Sequence, residues 1–388
     1  MKILKTNYRS DTALQNNEIK KTFFEKEYYY PCKASNNLFA CYDWYTPWID
    51  FNEYEMWFTT EYYNPECRLD KVAPLINKEK REEIATDILE AILDMYIAGY
   101  SHRDIHAKNI FYVNGKIKII DYEYIHRHYE IPFLESYDIT GRNLDSPCNA
   151  QNMSFTKHEP SSIIDCLGVD FDKILDFLYK RILDKLYKVS GSFRTKNGNH
   201  VRSKGSVYAS FDLPTFNISK DDAQRDTKKR FEQFGITNKE ISGRTILDIG
   251  CGTGALGFSL EKYKPKKYYG LEYRSDQVDV AQKIAAFSGI TNYKFIEMDI
   301  DKQKFDVEVD TVFCLSVNKH VKDQDGLYSY LGKYTGKTLF FEGNSGTDIE
   351  EAKVKLSNVG FTSIEFIDYC QDDIKDRNNN RPMFVARK

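Results

Sequence analysis

The chain has 388 residues, 55 basic and 58 acidic side chains, a formal net charge of −3 and 41% hydrophobic residues. That length suits two domains of about 150–200 residues each, and that hydrophobic share excludes a disordered chain. The balanced charge lacks the broad basic field of a protein held on phosphates, which disfavours nucleic acid as a partner.

The eight cysteines, at 32, 41, 67, 148, 166, 251, 314 and 370, include no CxxC pair and no zinc-ligand spacing with histidine, so reduced thiols and a cytoplasmic setting are expected. MKILKTNYRSDT at the start holds no apolar run of the signal-peptide kind. No stretch of about 18 apolar residues occurs, so no transmembrane segment is expected.

Residues 82–97, EEIATDILEAILDMYI, carry Ile84, Ile88, Leu89, Ile92, Met95 and Tyr96 at helical spacing. This pattern predicts an amphipathic helix on a core, ended by Gly99 in a left-handed conformation. SHRDIHAKNI follows at 101–110. IFYVNGKIKIIDYEY then places two β runs around Asn114-Gly115, a strong hairpin signal. Residues 163–188 form another helical, apolar-periodic segment. Composition then shifts. KVSGSFRTKNGNHVRSKGS, 188–206, is polar, basic and rich in Gly and Ser, and reads as a linker or a mobile loop. DDAQRDTKKRFEQF, 221–234, reads as a helix. From Arg244 onward strands and helices alternate, the pattern of a doubly wound α/β domain.

Phosphoryl transfer needs an aligned hydroxyl and metal ions that neutralise phosphates. Asp104 fits the carboxylate near the hydroxyl. Asn109, five residues on, fits an amide oxygen for a metal, and Asp121, after the hairpin, fits a second metal carboxylate. The helix, loop, hairpin and second Asp come in the order of a protein-kinase-like catalytic loop. His106 stands where Ser/Thr kinases carry lysine, and Tyr122-Glu123 replaces Phe-Gly. DIHAKN and IDYEY resemble the aminoglycoside/choline kinase branch and the kinases of lipopolysaccharide sugars.

That resemblance covers about 1–185 and implies an α+β kinase-like fold, ATP, Mg²⁺ and a small-molecule or glycan hydroxyl. It also implies a strand lysine at the phosphates. Lys5 in KILK is the candidate, or else an exposed strand-edge lysine, with Glu27 in FFEKEYYY as helix partner and EMWFTTEYY (55–63) as the strand entering the hinge. No Gly-rich loop precedes Lys5, so either the N-lobe is short or the domain does not bind ATP in the usual way. His106 reads as a structural imidazole under the loop. With these residues inactive, the domain would be a pseudokinase.

TILDIGCGTG is a strand running into a glycine turn and then a helix. Gly250, Gly252 and Gly254 let the backbone pass close to a ligand. The run resembles motif I of class I S-adenosylmethionine methyltransferases, which implies a Rossmann-like seven-stranded mixed sheet. On that resemblance Glu272 accepts the ribose hydroxyls, Asp299 the adenine amino group and Asp248 the methionyl amino end. CLSVNKHV and NRPMFVARK resemble the phosphate methyltransferases that cap small RNAs. This implies roles for Ser316 at the cofactor and for Lys319 and His320 at the acceptor; otherwise those two begin a solvated helix. The helix at 221–234 is expected to cover the cofactor. Arg225, Lys319, Arg202 and Lys204 would form an anion pocket, while Arg225 and Arg230 need not share a face.

The expected domains are 1–188, kinase-like; 189–243, linker and covering helix; and 244–388, methyltransferase. A kinase making a phosphomonoester and an enzyme methylating it form one pathway. The combination resembles the bifunctional kinase–methyltransferases that end O-antigen chains. A lipid-linked glycan substrate would bring the protein to the inner membrane face. The alternatives are a methyltransferase with a pseudokinase docking domain, and an RNA-directed kinase and phosphate methyltransferase. Oligomeric state stays open.

Overall fold

The computed structural model describes residues 2–6, 9–128, 130–141, 154–157, 161–190, 192–194, 200–202 and 207–388. The chain divides into two compact units, 1–180 and 181–388.

Unit 1 opens with strands β1 (Lys2–Thr6), β2 (Ser10–Gln15) and β3 (Glu18–Phe23), helix α1 (Lys26–Phe39), and strands β4 (Trp48–Asn52) and β5 (Trp57–Glu61). They form one antiparallel sheet in the order β1-β2-β3-β5-β4. The stretch where a short lobe was expected forms five strands and a helix. β2 and β3 join through Asn16 and Asn17 at φ +51° and +63°, the two-residue turn that matches strand twist.

Helix α2 (Lys78–Ile97) begins four residues before the apolar pattern does, because Asn77 caps it by accepting the Lys80 N–H at 2.9 Å. Its stripe of Ile84, Ile88, Leu89, Ile92 and Met95 is fully buried, each side chain contributing about 1.5–3 kcal/mol. Gly99 follows at φ +87°. β6 (Ile110–Val113) and β7 (Lys116–Ile119) form the expected hairpin across Asn114-Gly115. The single helix expected at 163–188 is two: α3 (Ile163–Leu167) ends at Gly168, φ +59°, and α4 (Phe171–Ser190) restarts beyond it. The division between units falls inside α4.

Unit 2 begins with packed structure where a linker was expected. β8 (Val207–Ala209) pairs in parallel with β9 (Ala223–Arg225), and α5 (Thr227–Phe234) follows. The 221–234 segment is thus α-helical only from 227, after a 3₁₀ turn at Lys220–Asp222 and β9, and the Asp226 carboxylate caps the helix by accepting the Lys229 N–H. Phe211, Leu213, Phe216 and Ile218 are buried, and the Phe211 ring lies 5.1 Å from Phe258. Residues 195–199 and 203–206 of the expected linker, Lys204 among them, lie outside the described residues.

The doubly wound region reads β10 (Thr245–Ile249), α6 (Ala255–Leu260), β11 (Lys267–Glu272), α7 (Ser275–Phe287), β12 (Tyr293–Glu297), β13 (Val309–Leu315), α8 (Gln324–Tyr334), β14 (Thr335–Glu342), α9 (Ile349–Asn358), β15 (Ser363–Cys370) and β16 (Arg381–Arg387). The seven strands lie in the order β12-β11-β10-β13-β14-β16-β15. β16 runs antiparallel to both neighbours and the other pairings are parallel. The order reverses at β10, so a crevice opens at the carboxyl ends of β10 and β13, where such sheets bind ligands.

Candidate active sites

In unit 1 two buried groups hold the 102–109 loop. His102 is fully buried; its Nδ1 accepts the Asp104 N–H at 3.3 Å, which leaves Nε2 to donate to the Ile120 carbonyl at 3.0 Å. The Asp138 carboxylate accepts the N–H groups of His102 and Arg103 at 2.6 and 2.7 Å. Arg103 sits at φ +66°, a costly value for a long side chain, and Asp138 fixes that turn. Burial pushes the Asp138 carboxyl above its ordinary range.

The loop presents Asp104, and Asn109 steadies it: Nδ2 donates to the Asp104 carbonyl at 3.1 Å and to its Oδ2 at 2.9 Å. Asp104, Asn109 and Asp121 line one cavity of about 520 Å³. His106 lines it too. Its Nδ1 accepts the Lys108 N–H at 3.1 Å and its Nε2 lies 3.4 Å from Asp104 Oδ1. The imidazole therefore faces the carboxylate as well as shaping the loop, rather than lying under it.

Lys5 is on β1, and its side chain lies outside the described residues. Glu27 is exposed in the first turn of α1. Two lysines line the cavity, Lys21 and Lys108; Lys21, on β3, is the one whose ammonium bonds Asp121 Oδ1 at 2.7 Å and pairs with Glu123. Burial alone would lower the Lys21 pKa; Asp121 and Glu123 outweigh it and hold the ammonium above the ordinary value. The signal for Lys21 is the alternation in EIKKTF. Ile19, Lys21 and Phe23 share one face of β3, the first two lining the cavity and the third buried.

In unit 2, β10 ends in a glycine turn. Gly250 has φ +74°, and its N–H and that of Cys251 donate to the Leu271 carbonyl at 2.8 and 3.0 Å. A Cβ at Gly250 would stand 2.8 Å from Val317, and one at Gly254, φ +85°, would stand 2.9 Å from Phe295. Gly252 presents its N–H to Glu272 Oε2 at 3.1 Å, and Arg274 N–H donates to Oε1 at 3.1 Å. Burial still pushes the Glu272 carboxyl above its usual range. Asp248, within β10, is buried and accepts the Tyr268 hydroxyl at 2.7 Å. Burial drives its pKa up to about 7, against the Tyr268 bond and the Arg230 charge. Asp299 is held instead by Lys302 at 2.7 Å, on more open ground.

Beyond β13, Ser316 bonds to the neighbouring strand end. It has φ +62°, its N–H donates to the Glu342 carbonyl at 2.7 Å, and its hydroxyl donates to the Glu342 carboxylate. Asn318 is buried and clasps the facing loop, accepting the Asn344 N–H at 2.9 Å. Lys319 and His320 are exposed. The Lys319 ammonium donates to the Ser345 carbonyl.

Glu342, at the end of β14, anchors a charge cluster that sequence spacing does not announce. Arg381 pairs with it at 2.7 Å and also with Asp372; Arg230 lies 3.3 Å from Glu342 and 2.9 Å from Asp372. Arg225 pairs with Asp373 at 3.0 Å. Burial would raise the Glu342 pKa, but Arg230, Arg381 and Arg225 overcome it and hold the carboxyl at about 2. Arg225 and Arg230 thus share one cluster despite their spacing. The anion pocket expected from Arg225 and Lys319 is not formed by them, since each has a different partner. The Arg202 side chain lies outside the described residues.

Residues 240–341 match the family model described as a methyltransferase domain. Unit 2 carries a Rossmann-like methyltransferase domain. The chain is similar to the probable (S)-tetrahydroprotoberberine N-methyltransferase 2 of Papaver bracteatum, 34% identical over 82 residues, 21% of this chain and 23% of the relative. It is similar to the sterol 24-C-methyltransferase erg6 of Aspergillus fumigatus, 31% identical over 98 residues, 25% of each chain. The chain thus spans about a quarter of the length of these curated relatives. Among solved structures it is similar to EvdMO1, with a TM-score of 0.38, 16% identity and coverage of 55% of this chain and 47% of that one. It is also similar to magnesium protoporphyrin IX methyltransferase of Synechocystis PCC 6803, at TM-score 0.36, 19% identity and coverage of 42% and 78%. Among the described residues no helix is long and apolar enough to cross a membrane, and no group of three or more His, Cys, Asp or Glu is placed to hold a metal.

Proposed function

We propose that this protein joins two transferases. Unit 1 moves a phosphoryl group from ATP to a hydroxyl on a glycan or small polyol, and unit 2 moves a methyl group from S-adenosylmethionine to the phosphorylated product. The observation that carries the first half is the convergence of Asp104, Asn109, Asp121 and Lys21 on one cavity. Asp104 orients the hydroxyl and takes its proton, an effect of about 10²–10⁴-fold. The Asn109 amide oxygen and the Asp121 carboxylate suit Mg²⁺, which takes one or two carboxylates and completes its shell with phosphates and water. Mg²⁺ supplies neutralisation of phosphate charge, and Lys21 is the chain's own cation for the phosphates. The Lys5 role in phosphate binding passes to Lys21 in this reading.

The methyl-donor half rests on the glycine turn and Glu272, a carboxylate at the end of the neighbouring strand. Glu272 receives the ribose hydroxyls, Asp248 the methionyl ammonium, and Asp299 the adenine amino group in place of Lys302. The acceptor meets the 316–320 turn, where Lys319 and His320 are exposed. The carboxylate beside that turn, Glu342, is held at about 2 and is a poor base near neutral pH. A phosphomonoester needs no base there, because it is already anionic and needs only alignment with the sulfonium methyl. This favours phosphate as the nucleophile.

The test supplies candidate glycans with labelled S-adenosylmethionine, with and without ATP, and reads products by mass. Methylation is expected to require ATP for an unphosphorylated acceptor and to become ATP-independent for the phosphorylated one. Asp104→Asn is expected to methylate only the latter. Equal methylation of the unphosphorylated acceptor without ATP would remove phosphate as the nucleophile.

A further inference from the structure

Lys21 is held by two carboxylates, and both come from the turn after the hairpin. Asp121 Oδ1 lies 2.7 Å from its ammonium, and Glu123 Oε1 pairs with it from the other side. The two acids differ in setting. Asp121 lines the cavity and its side chain is 30% exposed; the Glu123 side chain is 4% exposed and is not part of the lining. Glu123 is also gripped by its neighbours. The Ser10 hydroxyl donates to it at 3.4 Å, and Arg9 Nη1 lies 3.7 Å from its second oxygen. Arg9 in turn stacks over the rings of Tyr28 and Tyr124, at 5.3 and 4.4 Å.

Helix α1 packs beside this sheet yet brings no acid to Lys21. The α1 residues that share the cavity with it are Cys32 and Ser35, while the α1 acid Glu27 is exposed. In kinases generally, the phosphate-binding lysine is held by a glutamate of the neighbouring helix. Here the counter-charge has moved to a different element.

We propose that Glu123 is the positioning residue that holds Lys21 for the phosphates of a nucleotide, and that Asp121 exchanges Lys21 for a divalent cation when the nucleotide binds. This rests on the reading of unit 1 as an ATP-dependent phosphotransferase. The charges support the division of labour. Lys21 and Arg9 together balance Asp121 and Glu123, but of these two acids only Asp121 borders the cavity, so a cation arriving there meets Asp121 and not Glu123. Once Asp121 turns to that cation, Lys21 keeps Glu123 as its counter-ion and stays a formal cation facing the phosphates. Without Glu123, Lys21 has only Asp121, and metal and lysine compete for one carboxylate. A consequence is that displacing α1 does not break the lysine's ion pair.

The test is calorimetric binding of ATP to the full chain across a Mg²⁺ titration, with denaturant unfolding of each variant as the check that unit 1 is folded and S-adenosylmethionine affinity as the check that unit 2 is undisturbed. Glu123→Gln is expected to weaken Mg·ATP binding at least tenfold and to raise the Mg²⁺ concentration needed for half-maximal binding. Glu123→Asp is expected to restore part of both, and Glu27→Gln to change neither by more than twofold. S-adenosylmethionine affinity should stay constant throughout. If the unsubstituted protein binds Mg·ATP and Glu123→Gln binds it equally well with the same Mg²⁺ dependence, the role of Glu123 is overturned while the phosphotransferase reading stands. If Glu27→Gln causes the loss, the helix supplies the counter-charge and the proposal is overturned. If the unsubstituted protein binds no Mg·ATP, both fall together.

Discussion

Each unit gathers charge in one place, and the two places are built differently. In unit 1, Lys21 and Asp121 border a cavity of about 520 Å³ with side chains 15% and 30% exposed. In unit 2, Arg230, Arg381, Glu342 and Asp372 have side chains 7%, 2%, 0% and 0% exposed. Charges at a wet cavity can trade a protein partner for a ligand. Sealed charges cannot, because the partner left behind is a bare ion in low dielectric. The first arrangement suits a site. The second suits a fastening, which ties α5, the end of β14 and the 370–381 segment together and fixes Ser316 at the head of the 316–320 turn.

The largest expected effect separates the two. Glu342→Gln leaves three guanidinium groups facing two carboxylates and is expected to cost about 3–5 kcal/mol in denaturant unfolding of unit 2. Asp121→Asn, at an open cavity, is expected to cost less than about 1 kcal/mol. Equal losses would erase the distinction between site and fastening. The pH dependence carries the same sign. Glu342 is held at about 2 against an ordinary 4.5, so its stabilisation is present above about 4.5 and is lost as pH falls from there towards 2. The total is about 3 kcal/mol.

What was legible in the sequence was what is local. The helix ending at Gly99, the hairpin at Asn114-Gly115 and the succession Asp104, Asn109, Asp121 lie within a few dozen residues and have period or spacing to mark them. The strand-and-turn architecture around Gly250 was legible for the same reason. Lys21 was not, because its partners stand 100 residues away, and because the Asn16-Asn17 turn lacks the glycine that usually marks a two-residue hairpin. The Glu342 cluster draws on positions from Arg225 to Arg381, and no linear pattern connects them. Residues 207–218 hid their packing differently: Val207, Ala209, Phe211 and Leu213 do alternate, but their strands are only two or three residues long and follow a polar, Gly/Ser-rich stretch.

A smaller effect sharpens the comparison at its middle ground. Asp248 is buried like the fastening, yet it sits beside the glycine turn like a site. Its pKa of about 7 means that burial favours the protonated form, so the stability this preference gives is complete below the ordinary 3.8 and is lost as pH rises through about 7. A ligand ammonium reverses the preference. S-adenosylmethionine affinity is therefore expected to rise about five- to tenfold between about pH 6 and pH 7.5, measured by calorimetry, and Asp248→Asn should flatten that rise. A flat profile in the unsubstituted protein would assign Asp248 to the fastening.

The most direct measurement of the central claim, two separate donor sites in one chain, is a pair of titrations on the full chain: Mg·ATP and S-adenosylmethionine, each alone and in the presence of the other. One site per chain is expected for each, with neither ligand displacing the other. Asp121→Asn should remove only the Mg·ATP heat, and Glu272→Ala should weaken only S-adenosylmethionine, by about 1–3 kcal/mol. Absence of Mg·ATP binding, or displacement of S-adenosylmethionine by ATP, would contradict it.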